Sequence, residues 1–213
     1  MSLLECLVGI ALCALLLNPL LKTSADLIAK QMQYEKTHAL ISEADRALEL
    51  IGRAIRMAGY RNIQSVAKKD AKNNPDAFIW IQKHTGYRGS DALSIRHELS
   101  SGLDFDCLGN ELKVDRTQQG LAQQGFYVDR QASAPKGAKV NGGSLMCQSL
   151  DRQGRLQNTT LMNGVNSLLI EEVISPNSQA STGQKRYLVK LQMTDGALLQ
   201  LDFKRTFTTR NLL

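Results

Sequence analysis

Met1-Ser2-Leu3-Leu4-Glu5, followed without a break by Cys6-Leu7-Val8-Gly9-Ile10-Ala11-Leu12-Cys13-Ala14-Leu15-Leu16-Leu17, sets one carboxylate inside an otherwise apolar run. A charge at that depth in a bilayer is expensive, and such residues are rare unless they find a partner. The only cation the segment supplies is the α-amino group of Met1, and a helix cannot easily fold its own terminus back onto residue 5. A neighbouring copy, shifted along the axis by about one helical turn, could place its amine beside Glu5. The bland alternative is a carboxylate at the interfacial edge, solvated by headgroups. On the first reading, Met1 and Glu5 set the axial register of a helical filament subunit.

Outward from Glu5, the chain from Met1 to Leu21 reaches about 32 Å as a helix, enough for a bilayer core of about 30 Å. It lacks the basic n-region and small-residue cleavage site of a secretory signal. Asn18-Pro19 interrupts it, because proline removes a backbone donor and disfavours helical geometry at the preceding residue. A kink at the membrane exit is the plain expectation; a point that melts during assembly needs a filament around it. After Lys22 the pattern turns amphipathic, with Ile28, Met32, Ile41, Ala44, Leu48, Ile51, Ile55 and Ala58 forming one apolar stripe. Gly59 is placed to stop the helix, and Arg53 and Arg56 suit its negative end. Heptads are not sustained, so the stripe is expected to pack on a sheet and not in a free coiled coil.

Beyond residue 77 the signal is strand-like. Candidate strands are Ala77–Ile81, Ala92–His97, Glu111–Val114, Gly125–Val128, Ser144–Gln148, Val165–Ile174, Tyr187–Met193 and Ala197–Phe203. The last two, joined across Thr194-Asp195-Gly196, form the clearest hairpin, with Val189, Leu191 and Met193 alternating onto one buried face. Ala67–Asp76 and Gln131–Gly143 read as long polar loops. Trp80 lies in a strand-like run and is expected in the core.

Composition excludes more than it proposes. The 213 residues suit a stalk and one globular domain. A hydrophobic content of 43% and a charged content of 22% are ordinary for a folded protein. The net charge of +6 invites a nucleic-acid reading, with Lys68, Lys69 and Lys72 as the densest cluster. The cations are dispersed and lack interleaved aromatics for stacking, so a solvated surface is the expectation. No phosphate loop, zincin pattern or nucleophile elbow occurs, and catalysis is unsupported. His38, His84 and His97 are isolated. Asp104, Asp106, Asn110 and Glu111 gather oxygen ligands but match no calcium loop, and a turn leading into a strand is the better reading.

The N-terminal run resembles a mature type IV pilin-class terminus, in which glutamate follows at position 5. The string Arg46–Tyr60, ending Arg56-Met57-Ala58-Gly59-Tyr60, resembles the PilW family of minor pilins. Asp106-Cys107-Leu108-Gly109, Leu145-Met146-Cys147, Asn163-Gly164-Val165-Asn166-Ser167 and Phe207-Thr208-Thr209-Arg210-Asn211 are similar to that family as well. The resemblance implies a processed chain whose leader a prepilin peptidase has removed, with Met1 where phenylalanine is more usual. It implies lateral helix packing in which Glu5 pairs with the methylated or free amine of an adjacent subunit.

The expected architecture is therefore α+β: a long N-terminal transmembrane/amphipathic helix packed on an antiparallel β-sheet head domain, pilin-like. Residues 1–21 form its transmembrane half, 22–60 its amphipathic half, and 61–213 the head. In a periplasmic head, Cys107 and Cys147 are expected as an oxidised pair, and Cys6 and Cys13 as thiols on one helix face. Zinc is disfavoured because no Cys-x-x-Cys occurs, and neither cofactor nor metal is expected. The resemblance implies a minor pilin priming type IV pilus assembly, with the tip as one location. Its partners would be other minor pilins, the major pilin, the inner-membrane assembly platform and the prepilin peptidase. Its place would be the inner membrane, single-pass with a periplasmic head, then the pilus. The rivals are a minor pseudopilin of a type II secretion system and an adhesive or DNA-binding tip module.

Overall fold

The computed structural model describes residues 3–62, 78–131, 142–173, 184–196 and 199–211, without the side chains of Leu4, Glu5, Ala14, Leu16 and Asn18. One helix, α1 (Leu3–Met57), precedes seven strands: β1 (Ile79–Gln82), β2 (Ala92–Glu98), β3 (Leu121–Arg130), β4 (Gly143–Leu150), β5 (Leu156–Glu172), β6 (Arg186–Thr194) and β7 (Gln200–Thr208). Each strand pairs antiparallel with its neighbour in sequence, so the sheet runs β1 to β7 in order, as a half-barrel. The chain divides into two compact units, one ending at Ala39 and one beginning at Leu40.

The expected transmembrane, pilin-like architecture is corrected here. Among the described residues, no helix is long and apolar enough to cross a membrane. The reason is legible in the run itself: between Glu5 and Asn18 lie only the 12 residues Cys6–Leu17. These amount to about 18 Å of helix, well short of a bilayer core of about 30 Å. The single-pass inner-membrane placement falls with it. Nor is the helix broken at Asn18-Pro19, since α1 continues through Pro19. Proline there withholds one amide from the preceding turn without ending the helix.

In the second unit, the turns of α1 from Leu40 to Met57, with Ala58 just past its end, share one core with the sheet. Ala44, Ala47 and Ala54 are small enough to bring the backbones close, while Leu48, Ile51 and Ile55 fill the space between. They meet Phe126, Leu145, Leu168, Val189 and Leu191 from the sheet. The expected stripe holds at Ala44, Leu48, Ile51, Ile55 and Ala58. Ile28, Met32 and Ile41 are exposed instead. The first two belong to turns before Leu40, where the second unit begins.

Gly52 is the closest approach. A methyl group at that position would run into the ring of Phe207, which is itself buried. Gly52→Ala therefore sets a helix-propensity gain of about 1 kcal/mol against overpacking of about 1–3 kcal/mol. We expect a net loss of up to about 2 kcal/mol by chemical denaturation. Combined with Phe207→Leu, the same substitution should become neutral or stabilising. Equal costs in both backgrounds would mean that the ring is not what the glycine accommodates.

The strand from Glu111 to Val114 is not formed. Glu111 makes only an isolated bridge to Phe105, and Val114–Arg116 is a 3-10 turn. The carboxylates explain it: Asp106 accepts from the amides of Leu108 (2.9 Å) and Asn110 (2.8 Å), which winds this segment into a turn. β5 is longer than its apolar pattern because Gln157–Thr160 are polar and mostly exposed, so only pairing with β4 marks them as strand. It bends at Gly164, the residue skipped where the pairing steps from Ser144↔Asn163 to Gly143↔Val165. Gly164 has φ +78°, and a Cβ there would sit 2.8 Å from the Thr194 carbonyl oxygen. The bulge lets one strand pair with β4 first and with β6 after it. The β6–β7 hairpin closes with Thr194 opposite Gln200.

Candidate assembly surface

The turns of α1 before Ala39 carry uncovered apolar side chains on all sides of the helix. Leu3, Leu7, Ile10, Leu12, Leu15 and Leu17 are each more than half exposed, as are Leu20, Leu21, Leu27, Ile28 and Met32 further along. Soluble monomers rarely expose contiguous apolar patches beyond a few hundred Å², which makes this segment the candidate interaction surface. Cys6 and Cys13 are exposed free thiols on the same segment. Gly9 meets no side chain or backbone of its own chain within 4 Å of where a Cβ would be. Met1 and the side chains of Glu5 and Asn18 lie outside the described structure, so the register pair expected at Met1 and Glu5 has no geometry here.

In the second unit, two of the strings singled out in the sequence, Arg56–Tyr60 and Phe207–Asn211, meet at the helix terminus. Gly59 takes φ +74°, the left-handed geometry that ends a helix, and its amide donates to the Arg96 carbonyl (3.1 Å). Asn211 donates its side-chain amide to the Arg56 carbonyl (3.0 Å), satisfying an acceptor the helix leaves open. Thr209, fully buried, donates its amide to Lys185 (2.9 Å) and accepts the Lys185 amide on its hydroxyl (2.9 Å). Arg56-to-Tyr60 and Phe207-to-Asn211 are thus two halves of one clamp between α1 and β7.

Cys107 and Cys147 are joined, with Cα atoms 6.1 Å apart across a separation of 40 residues. The bond ties the loop between β2 and β3 to the middle of β4. In that loop the oxygen ligands that suggested calcium are occupied by protein donors. Asp104 accepts from the amide and hydroxyl of Ser100 (2.6 and 2.8 Å), and Asp106 also meets Arg116 at 3.5 Å. Among the described residues, no group of three potential metal ligands exists.

Trp80 is half-buried rather than in the core, with the Arg96 guanidinium 5.0 Å from its ring centroid. His97 is buried, and burial holds its imidazole below the usual range. It donates from Nδ1 to the Glu98 carbonyl (2.9 Å) and lies 3.4 Å from the Gln124 amide nitrogen, which can donate to Nε2. This is a buried, neutral histidine whose two ring nitrogens both face protein partners. The cluster at Lys68, Lys69 and Lys72, and the loops 67–76 and 132–141, lie outside the described residues.

Sequence reasoning missed the group that ties the connection between β1 and β2 to β5. Past Val165, β5 keeps β6 on one flank, and on the other it meets the connection from β1 to β2. Asp91 donates its amide to the Leu168 carbonyl (2.7 Å), and Ser90 accepts the Leu168 amide on its hydroxyl (3.2 Å). The Asp91 carboxylate accepts the amides of Ile170 (2.8 Å) and His84 (3.1 Å), while Lys83 bridges Asp91 (2.9 Å) and the Ile170 carbonyl. Two side chains thereby do what a neighbouring strand would do. A Ser-Asp pair ahead of a strand reads as an ordinary turn in sequence, so only the fold assigns its partner.

Compared with protein-family models, curated proteins and solved structures, this chain matches none.

Proposed function

We propose that this chain is a helical-fibre subunit, a minor pilin of the PilW kind that its sequence resembles, and that it joins other minor pilins and the major pilin to prime a type IV pilus. The observation that carries the reading is that the leucines of α1 before Ala39 are exposed all round the helix. Burying one leucine is worth about 1.5–3 kcal/mol, so several buried together against neighbouring helices would hold a subunit in a bundle. Glu5 supplies what apolar packing lacks, a single charged position that fixes axial register against a neighbour's amine. The clamped head leaves its outer surface for choosing partners.

The test is incorporation. Leu12→Asp puts a charge into this apolar segment and changes no residue of the head, and Glu5→Ala removes the register charge. Each variant is expected to fold normally, yet to fall at least tenfold in sheared surface fibres probed for this chain. Normal incorporation of Leu12→Asp would remove the helix surface from the account, and normal incorporation of Glu5→Ala would remove the pairing role.

A further inference from the structure

β7 ends the sheet, and among the described residues no strand pairs with its outer edge. Thr209 donates its amide to Lys185 across β6, so alternation along the strand turns the amides and carbonyls of Gln200, Asp202, Lys204 and Thr206 outward. The strand is unbulged against β6, contains no proline, and is nine residues long. Phe203, on the helix side, is only partly buried. Natural edges are blunted by charge, lysine above all. Here Lys204 stands opposite Lys190, which is paired with Glu171 at 2.6 Å. Lys204 itself makes no ion pair among the described residues.

The charge at this edge is not a simple block, because Asp202 lies two residues away on the same exposed face. We infer that the outer edge of β7 is a self-complementary docking strand for a second copy of this chain, paired antiparallel about Phe203. In that register Asp202 faces the copy's Lys204 and Lys204 faces its Asp202, while Gln200 faces Thr206 and the two Phe203 rings meet. Opposite charges and aromatic pairs directly across an antiparallel ladder are favourable, and like charges are not. The neighbouring registers are excluded by the same rule. One step places Lys204 on Lys204, and the other places Asp202 on Asp202. Outward-facing residues must oppose outward-facing residues, so no intermediate register forms a ladder. The contact is isologous, as two-fold dimers require. It stands independently of the fibre reading, which rests on α1.

Amide exchange on the full chain, measured against concentration, tests this edge separately from any association through the helix. Dimerisation through β7 is expected to slow exchange at Lys204 and Thr206 at least tenfold. Asp202→Lys and Lys204→Asp should each abolish the slowing, because each makes the edge like-charged. An equimolar mixture of the two variants should restore it, as should the double exchange of both residues in one chain. Unchanged exchange at Leu168 and Ile170 verifies that each variant is folded. Association that leaves the β7 amides fast, or slowing that survives in the single variants, overturns the inference. So does failure of the mixture to restore protection.

Discussion

Asp91→Ala should cost about 3 kcal/mol, an effect far larger than an ordinary surface substitution produces. The side chain is 1% exposed and serves three partners at once. Its removal leaves the Ile170 amide buried without an acceptor, a penalty of about 1–3 kcal/mol alone, and breaks a charge-assisted bond to Lys83. Lys83 is half exposed and can return to water, so Lys83→Met should cost less than Asp91→Ala. The loss should be local in origin, with amides of Leu168 and Ile170 exchanging first. The same carboxylate gives a pH dependence whose sign is fixed. Burial pushes Asp91 up, but the Ile170 amide, Lys83 and the His84 amide together outweigh burial and hold it below the usual 3.8. The unfolded chain then binds the proton more readily, so stability from Asp91 is complete above about 4 and falls as pH drops through the lowered folded value. In Asp91→Asn this acid slope should flatten. If thermal melts of wild type and Asp91→Asn keep the same slope between pH 4 and 2, Asp91 is not the group that links them.

Replacing Cys107 and Cys147 together by alanine should lower the unfolding free energy by about 4 kcal/mol. That is the chain-entropy value for closing 40 residues. Both sulfurs are buried in the main core, so lost packing adds to the effect. The bond also anchors the loop that Asp104 and Asp106 wind into turns. Without it, amides of Leu108 and Asn110 should exchange faster than those of β4, because the turns would have only their own hydrogen bonds. A cost below 1 kcal/mol in urea titrations would mean that the Asp106 network holds the loop unaided.

Legibility in the sequence followed the range of the forces involved. Alternation along Tyr187–Met193 placed β6, because a two-residue period is a local signal and one face is fully buried, whereas its hairpin partner begins at Gln200 and runs past the expected end at Phe203 to Thr208. The stripe from Ala44 to Ala58 was equally plain, and Gly59 ended the helix where expected. The apolar run before Leu21 suggests a membrane span only by its total length. Glu5, Asn18 and Pro19 divide it, leaving too short an uninterrupted stretch. Gln157–Thr160 carry no apolar alternation, so the first half of β5 could not be seen until β4 was beside it. Gly52 looked like a helix defect and is a contact, legible only when Phe207 arrives from 155 positions later. Asp91 was invisible for the same reason: its acceptor role depends on β5, far along the chain. For the assembly surface, the leucines were legible as apolar residues, whereas their exposure to solvent needed the fold.

The most direct measurement of the fibre account is a clean deletion of this chain in its own host. Sheared surface pili would be quantified by blotting the major pilin, and secreted enzyme activity assayed from the same cultures. The account predicts loss of pili with secretion intact. Normal pili with secretion lost would contradict it and move the chain to a secretion pseudopilus.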